Sequence, residues 1–427
     1  MMSQSVLPFK LEKTKDEISS HAGLALFGEF IHALDLPAIL DRRLPGPGSS
    51  VGYRPSQFVF PLLLMLHGGG RSLEDLRRIR MDVGLRKLLG LDKIPSSDAT
   101  GDWLRRMGDG KGMKRLGRSN RDFTRRVLRS EKDTGYTLDI DASQIVAKKQ
   151  EAMFTYKGER GYMPIVGHLV ENGLVIGEEF REGNDSPNAR NFPFIKYCAR
   201  QMPKGKRIAH LRADSATYQA DVFNWCEKKK VAFAIGGHLD EATQAAIKAI
   251  PDSGWQPYQD GFIAETVHSM EKTKKAFRLI VVKRPVQRSL FEPNEEPSER
   301  YRVIASNRKE SAEETVAFYN RRGDASENRI KELKIGFGME RMPCGQFSAN
   351  AVFFRIGVLA YNLFVYFKMA ALPEDWRRCQ VQTIRWRFYR IAGKVTHHAG
   401  RVSLKVRAWM FALYEEVRAK CWELSRS

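Results

Sequence analysis

Apolar residues between positions 22 and 127 recur at helical spacing, interrupted by Gly and Pro loops. Leu24, Leu26, Phe27, Phe30, Ile31 and Leu34 form one apolar face, and PSQFVFPLLLMLHGGG closes on a glycine stop. An all-α N-terminal domain is expected. Within it, IPSSDATGDWLRRMGD reads as a capped helix start, with Ser97 or Asp98 as cap and Trp103 and Leu104 following. Such a helix can enter a DNA groove or simply pack.

From 136 the period shortens to that of strands. YTLDIDASQIVA is followed by MPIVGHLV and LVIGEEF, which flank the turn Glu171-Asn172-Gly173, so a three-stranded antiparallel meander is predicted. Next come a helix in NARNFPFIKYCARQM, the strand RIAHLRAD, the helix TYQADVFNWCEKKK and the strand VAFAIGG, an alternation that adds parallel strands. From about 238 to 306 short strands return (WQPY, GFIAETVHSM, FRLIVVKRP, YRVIASN) around the polar loop SLFEPNEEPSER, reading as a β-rich insertion. From 309 the pattern is helical to the end. The expected division is 1–130 helical and DNA-binding, 131–237 first part of a catalytic core, 238–306 insertion, 307–370 second part of the core, and 371–427 a basic helical region.

Charge changes the picture. The chain of 427 residues carries a formal charge of +21 with a pI near 9.8, which calls for a polyanionic partner. Ten Lys/Arg against three Asp fall in 101–130, and twelve against three Glu in 377–427, a clustering that favours phosphate contacts. Five dispersed cysteines without a CxxC pair fit reduced thiols and argue against a zinc site. FVFPLLLML is too short to span a bilayer and AVFFRIGVLAYNLFVYF is broken by Arg355, so both are expected as buried helices, with no membrane and no signal peptide at the start.

Candidate chemistry follows from acids at the ends or faces of elements. In TLDIDASQI, Asp139 and Asp141 share one strand face because side chains alternate. Asp214 ends RIAHLRAD, where an acid often only caps the next helix. Glu327 sits in the helix after the insertion. Carboxylates from separate elements suit a pair of hard divalent cations for phosphodiester chemistry. Weaker candidates are REGNDSPNARNF at 181–192, for DNA or for helix capping, and TIRWRFYRIAGKVTHHAGR, where Trp386 and Phe388 are stacking rings or core. His397 and His398 have no matching metal partner.

These residues resemble the DDE transposases of bacterial insertion sequences, in the group whose RNase H-like core is interrupted by a β-rich insertion. The resemblance rests on DAS at 141–143, LRADSATY at 211–218 and YNRRGDASENRIKELK at 319–334, and covers roughly 136–368. It implies a mixed α/β RNase H-like sheet flanked by helical regions, with Asp141, Asp214 and Glu327 holding two Mg²⁺ (or Mn²⁺) ions. Tyr319, Arg322 and Lys334 take the places of the group's Tyr-Arg-Glu-Lys signature and would contact DNA. Asp139 stands behind these ligands or replaces Asp141 among them. Four residues, Gly323 to Ser326, separate Arg322 from Glu327 where the group has three; Gly323 is expected to absorb the extra one in a turn before the helix. Glu327 and Lys334, seven apart, would share one helix face. The implied activity is cleavage and joining of double-stranded DNA at terminal inverted repeats and target, by a homodimer in the bacterial cytoplasm. An RNase H-like metal-dependent nuclease and a catalytically silent DNA-binding repressor are the alternatives.

Overall fold

The computed structural model describes residues 7, 9–285 and 299–426, without the side chains of 299 and 324–327. Nine strands form its main sheet: β1 (Gly135–Ala142), β2 (Ile165–Leu169), β3 (Val175–Glu179), β4 (Arg207–Ala213), β5 (Ala232–Gly236), β6 (Gln256–Tyr258), β7 (Gly261–His268), β8 (Phe277–Pro285) and β9 (Glu299–Ser306). Their order is β6-β7-β8-β9-β5-β4-β1-β2-β3. β1, β4 and β5 are parallel neighbours, while β1, β2 and β3 form the expected antiparallel meander. Its turn has Gly173 at φ +84°, and Asn172 Oδ1 accepts from the Leu174 N–H. The mixed α/β sheet agrees with the sequence reading.

The strands expected as an insertion continue this sheet, because β9 pairs antiparallel with β5 (Ala305 opposite Ile235). Ile263, Ile280, Val282 and Ile304 form an apolar face with Val316 of the helix that follows. A small sheet between β1 and β2, built from Ile145–Val146, Met153–Phe154 and Arg160–Tyr162, was not foreseen; its strands are too short to show a period.

The helices used below are α1 (Ala22–Ala33), α2 (Pro55–Gly68), α3 (Ser97–Asp109), α4 (Gly112–Ser130), α5 (Asn191–Gln201), α6 (Ala220–Lys229), α7 (Ala312–Lys331), α8 (Phe347–Ala370) and α9 (Ala408–Ser425). α8 is long and apolar enough to cross a bilayer, yet 94% of its most apolar window is buried inside the molecule. Its Arg355 is paired with Glu178 of β3 and donates to the Met113 carbonyl at 2.7 Å. α2, α3 and α4 pack on α8, and one continuous core runs from Ala22 to Cys421. Asn362 of α8 bonds both the N–H and the carbonyl of Val175 at 2.8 Å, so the edge strand β3 is covered by the central helix.

Three expectations need correction in this region. The cap of α3 is Ser96, whose Oγ accepts from the Ala99 N–H, one residue before the expected Ser97 or Asp98. The N-terminal part is not wholly α, since Glu17–Ser19 pairs with Gly393–His398. That strand and Arg401–Lys405 form a hairpin inside the C-terminal region expected to be helical; Ala399 and Gly400 at positive φ make its turn. All five cysteines are free thiols.

Candidate active site

The parallel pairing of β1 with β4 sets the site. Asp139 stands opposite Arg212, and carrying that register two residues further brings Asp141 beside Asp214. Adjacent strands lie roughly 4.8 Å apart, so the two acids stand side by side at the ends of central strands. Both are half-buried. Asp214 Oδ1 also accepts from the Ala216 N–H at 3.2 Å, the capping role that a strand-end acid commonly has.

α7 supplies the cations. Its start is fixed by a capping box, Ser311 with Glu314, and Val316 anchors it on the sheet. Arg322 donates to Asp141 Oδ1 at 2.8 Å and to the Ile140 carbonyl at 3.3 Å. Burial opposes the charge of this guanidinium, but Asp141 and then Asp214 outweigh it and hold its pKa above the usual arginine value. Its Nε is buried without a hydrogen-bond partner among the described residues. A Cβ added to Gly236, at the end of β5, would stand 2.8 Å from the Tyr319 hydroxyl and 3.0 Å from the Ser215 nitrogen. Tyr319 therefore reaches the turn that carries Asp214. Arg302 of β9 lies 5.0 Å above the Tyr319 ring.

Lys334 Nζ donates to the Gln144 carbonyl at 2.7 Å. Burial lowers its pKa, with Glu340 and Asp141 opposing. The structure thus gathers Asp141, Asp214, Tyr319, Arg322 and Lys334 at one end of the central strands. Glu327 lies within α7, but its side chain is outside the described residues. Among the described residues no three His, Cys, Asp or Glu side chains form a metal-binding group.

The spacing around Glu327 differs from expectation. Gly323 makes no turn: α7 runs without a break from Ala312 to Lys331, because a capped and packed helix carries one internal glycine at a cost of about 1 kcal/mol. The irregularity comes later, in a π-turn over Glu332–Gly336 that contains Lys334. Glu327 and Lys334 are therefore not two turns apart on one regular α-helix. Such π-turns are rare and concentrate at functional sites.

Asp139 is engaged elsewhere. Fully buried, it accepts two bonds of 2.7 Å from Arg212 Nε and Nη2, while Arg212 Nη1 donates to the Phe318 carbonyl at 2.8 Å. This pair ties β1 and β4 to α7 at the residue preceding Tyr319. His168 of β2 packs beside it, its Nε2 3.7 Å from Asp139, and burial drives its pKa down to about 3. Arg212, Gly236 and Arg302 were not singled out from sequence. Arg212 had a signal, since it precedes Asp214 by two on a strand and so shares its face.

The segment 181–192 braces the Asp214 turn: Asn191 Nδ2 donates to the Ala216 carbonyl at 3.2 Å, and Arg181 is buried. Of the two C-terminal rings, Phe388 is core and Trp386 is 77% exposed. His397 and His398 lie on the Gly393–His398 strand, outside any metal-binding group among the described residues.

The family described as transposase DDE domain, group 1, matches residues 5–420. None of the curated proteins matches the chain. Among solved structures, one similar chain is the piggyBac transposase in a cryo-EM synaptic complex with hairpin DNA. It is 10% identical over 96% of this chain and 83% of that one, with a TM-score of 0.47. The chain belongs to the DDE transposase domain family, group 1.

Proposed function

We propose that this DDE family member cleaves DNA at the ends of an insertion element and joins those ends to target DNA, with Asp141, Asp214 and Glu327 as its acidic triad. The observation that carries the reading is Arg322, bonded to Asp141 and held in its charged form by Asp141 and Asp214, the acids at the ends of the neighbouring parallel strands β1 and β4. Half-buried carboxylates from separate elements are the donor set that hard divalent cations take. Asp141 and Asp214, completed by Glu327, would hold two Mg²⁺ or Mn²⁺ ions, which supply charge neutralisation at the phosphodiester and an activated oxygen nucleophile.

The remaining residues bind and orient. Arg322, bonded to Asp141, can also offer its guanidinium to two phosphate oxygens, the bidentate pairing that group favours. Lys334 adds a point charge, and Tyr319 a hydroxyl beside the Asp214 turn. The basic stretches 101–130 and 377–427 add affinity that falls with salt. Action as a homodimer in the bacterial cytoplasm belongs to the same proposal.

The test is Mg²⁺-dependent cleavage and joining of DNA carrying the element's own inverted repeats. Asp141→Asn and Asp214→Asn should each reduce cleavage by at least about a thousandfold, the scale of losing charge stabilisation at a transferring phosphoryl group, while end-DNA binding persists. Cleavage that survives Asp214→Asn would remove that residue from the ligand set. Cleavage by the wild type without joining would show a nuclease, and binding without cleavage a silent repressor.

A further inference from the structure

The C-terminal region holds a second cluster that the active site does not use. A surface cleft of about 570 Å³ is lined by Trp376, Trp386, Trp409, Arg387 and Arg390, with Met410 and Leu413 at its floor. Trp386 and Trp409 are 77% and 65% exposed, unusual for the residue type with the most to gain from burial. The sequence makes this exposure unavoidable. Trp386 lies on a π-turn, Arg385–Tyr389, whose inward side is spent on Phe388 and Tyr389; Trp409 opens α9, whose buried stripe is Met410, Tyr414, Val417 and Cys421. Both rings are thus left on the outer side of their elements.

The polar part of the lining is all cationic. Arg387 lies 4.7 Å over the half-buried Trp376, and Arg390 donates to the Gly68 carbonyl at 3.1 Å. Neither has an ion pair among the described residues, and no carboxylate lines the cleft. We infer that this cleft binds unpaired DNA, its bases stacked on Trp386 and Trp409 and its phosphates held by Arg387 and Arg390. Open indole faces take the face of a base, which a duplex covers by stacking, so the cleft selects single strands over paired DNA. Exposed arginines supply the phosphate contacts, and a cleft of this size admits a nucleotide-sized group. A strand held here would lie against α9 and the Arg385–Tyr389 turn, as a second nucleic-acid contact whose lining includes none of the triad residues.

The test is fluorescence anisotropy of labelled oligo(dT) and of a duplex of equal length, with the full chain in EDTA, so that the outcome does not depend on cleavage. Truncating both rings (Trp386→Ala with Trp409→Ala) should weaken oligo(dT) about tenfold per ring and the duplex less than about twofold. Phe at both positions should keep most of the single-strand affinity, and Trp422→Ala, an exposed tryptophan outside the cleft, should change nothing. Should the double truncation fail to fold, Arg387→Glu carries the test and should weaken oligo(dT) at least as much as one ring. Unchanged oligo(dT) affinity would overturn the inference, as would equal weakening of both DNAs. So would sedimentation in which the double truncation separates a dimer while leaving DNA affinity intact, which would make the cleft a contact between copies.

Discussion

Replacing Asp139 and Asp141 in turn by Asn separates a structural acid from a chemical one, though they stand two residues apart on the same strand face. Asp139 is fully buried and receives two 2.7 Å bonds from an Arg212 side chain that is 2% exposed. Asp139→Asn leaves that guanidinium buried without its counter-charge, a loss worth about 3–5 kcal/mol. Asp141 is 25% exposed and accepts from Arg322 at 2.8 Å, so solvent screening lowers the cost of Asp141→Asn to about 1 kcal/mol. For 427 residues the unfolding entropy is about 0.9 kcal/mol/K, so Tm should fall by about 3–6 °C for Asp139→Asn and about 1 °C for Asp141→Asn. The two variants should rank oppositely for DNA cleavage. Asp141→Asn should remove nearly all of it, and Asp139→Asn should retain measurable activity below its own Tm. Differential scanning fluorimetry beside a cleavage assay reads both. An Asp139→Asn protein of wild-type Tm and no activity would refute the reasoning and make Asp139 the ligand.

Other outcomes follow from neighbouring geometry. Gly236→Ala puts a Cβ 2.8 Å from the Tyr319 hydroxyl and 3.0 Å from the Ser215 nitrogen, so cleavage should fall well beyond a stability cost of about 1–3 kcal/mol; a fully active variant would show that Tyr319 does not need its place. Asn362→Leu leaves the buried N–H and carbonyl of Val175 unpaired and should cost about 2–4 kcal/mol, read as a Tm drop of about 2–4 °C. His67 is buried between the Tyr389 hydroxyl and the Ala360 carbonyl, and burial holds its pKa well below 6.5 despite the carbonyl, with Arg385 adding to the depression. The unfolded chain gains a proton there that the folded chain refuses. Stability should therefore be lost as pH falls below about 6.5, by up to about 1.4 kcal/mol per pH unit, and His67→Gln should flatten this dependence in Tm measurements between pH 7.5 and 5.5.

Local pattern was enough for much of this protein. Strand alternation put Asp139 and Asp141 on one face, the Asn-Gly turn fixed the β2–β3 hairpin, and the charge blocks at 101–130 and 377–427 pointed to a polyanion. The motifs that carry the family resemblance contain Asp141, Asp214, Tyr319, Arg322 and Lys334, the residues that the fold assembles. What local pattern could not reach was pairing between distant segments. The different surroundings of the two acids were decided by the parallel register of β1 on β4, which sets Arg212 against Asp139 and leaves Asp141 beyond the paired residues, towards the end of the strand. The strand at Glu17–Ser19 exists only because Gly393–His398 pairs with it, and three residues alone have no preference to express. Continuity of α7 through Gly323 came from capping and packing that outweigh one glycine's propensity, moving the irregular turn to Lys334. Composition and period determine which side chains share a face; only the tertiary structure decides which arginine answers each acid on that face, Arg212 for the fully buried Asp139 and Arg322 for the partly exposed Asp141.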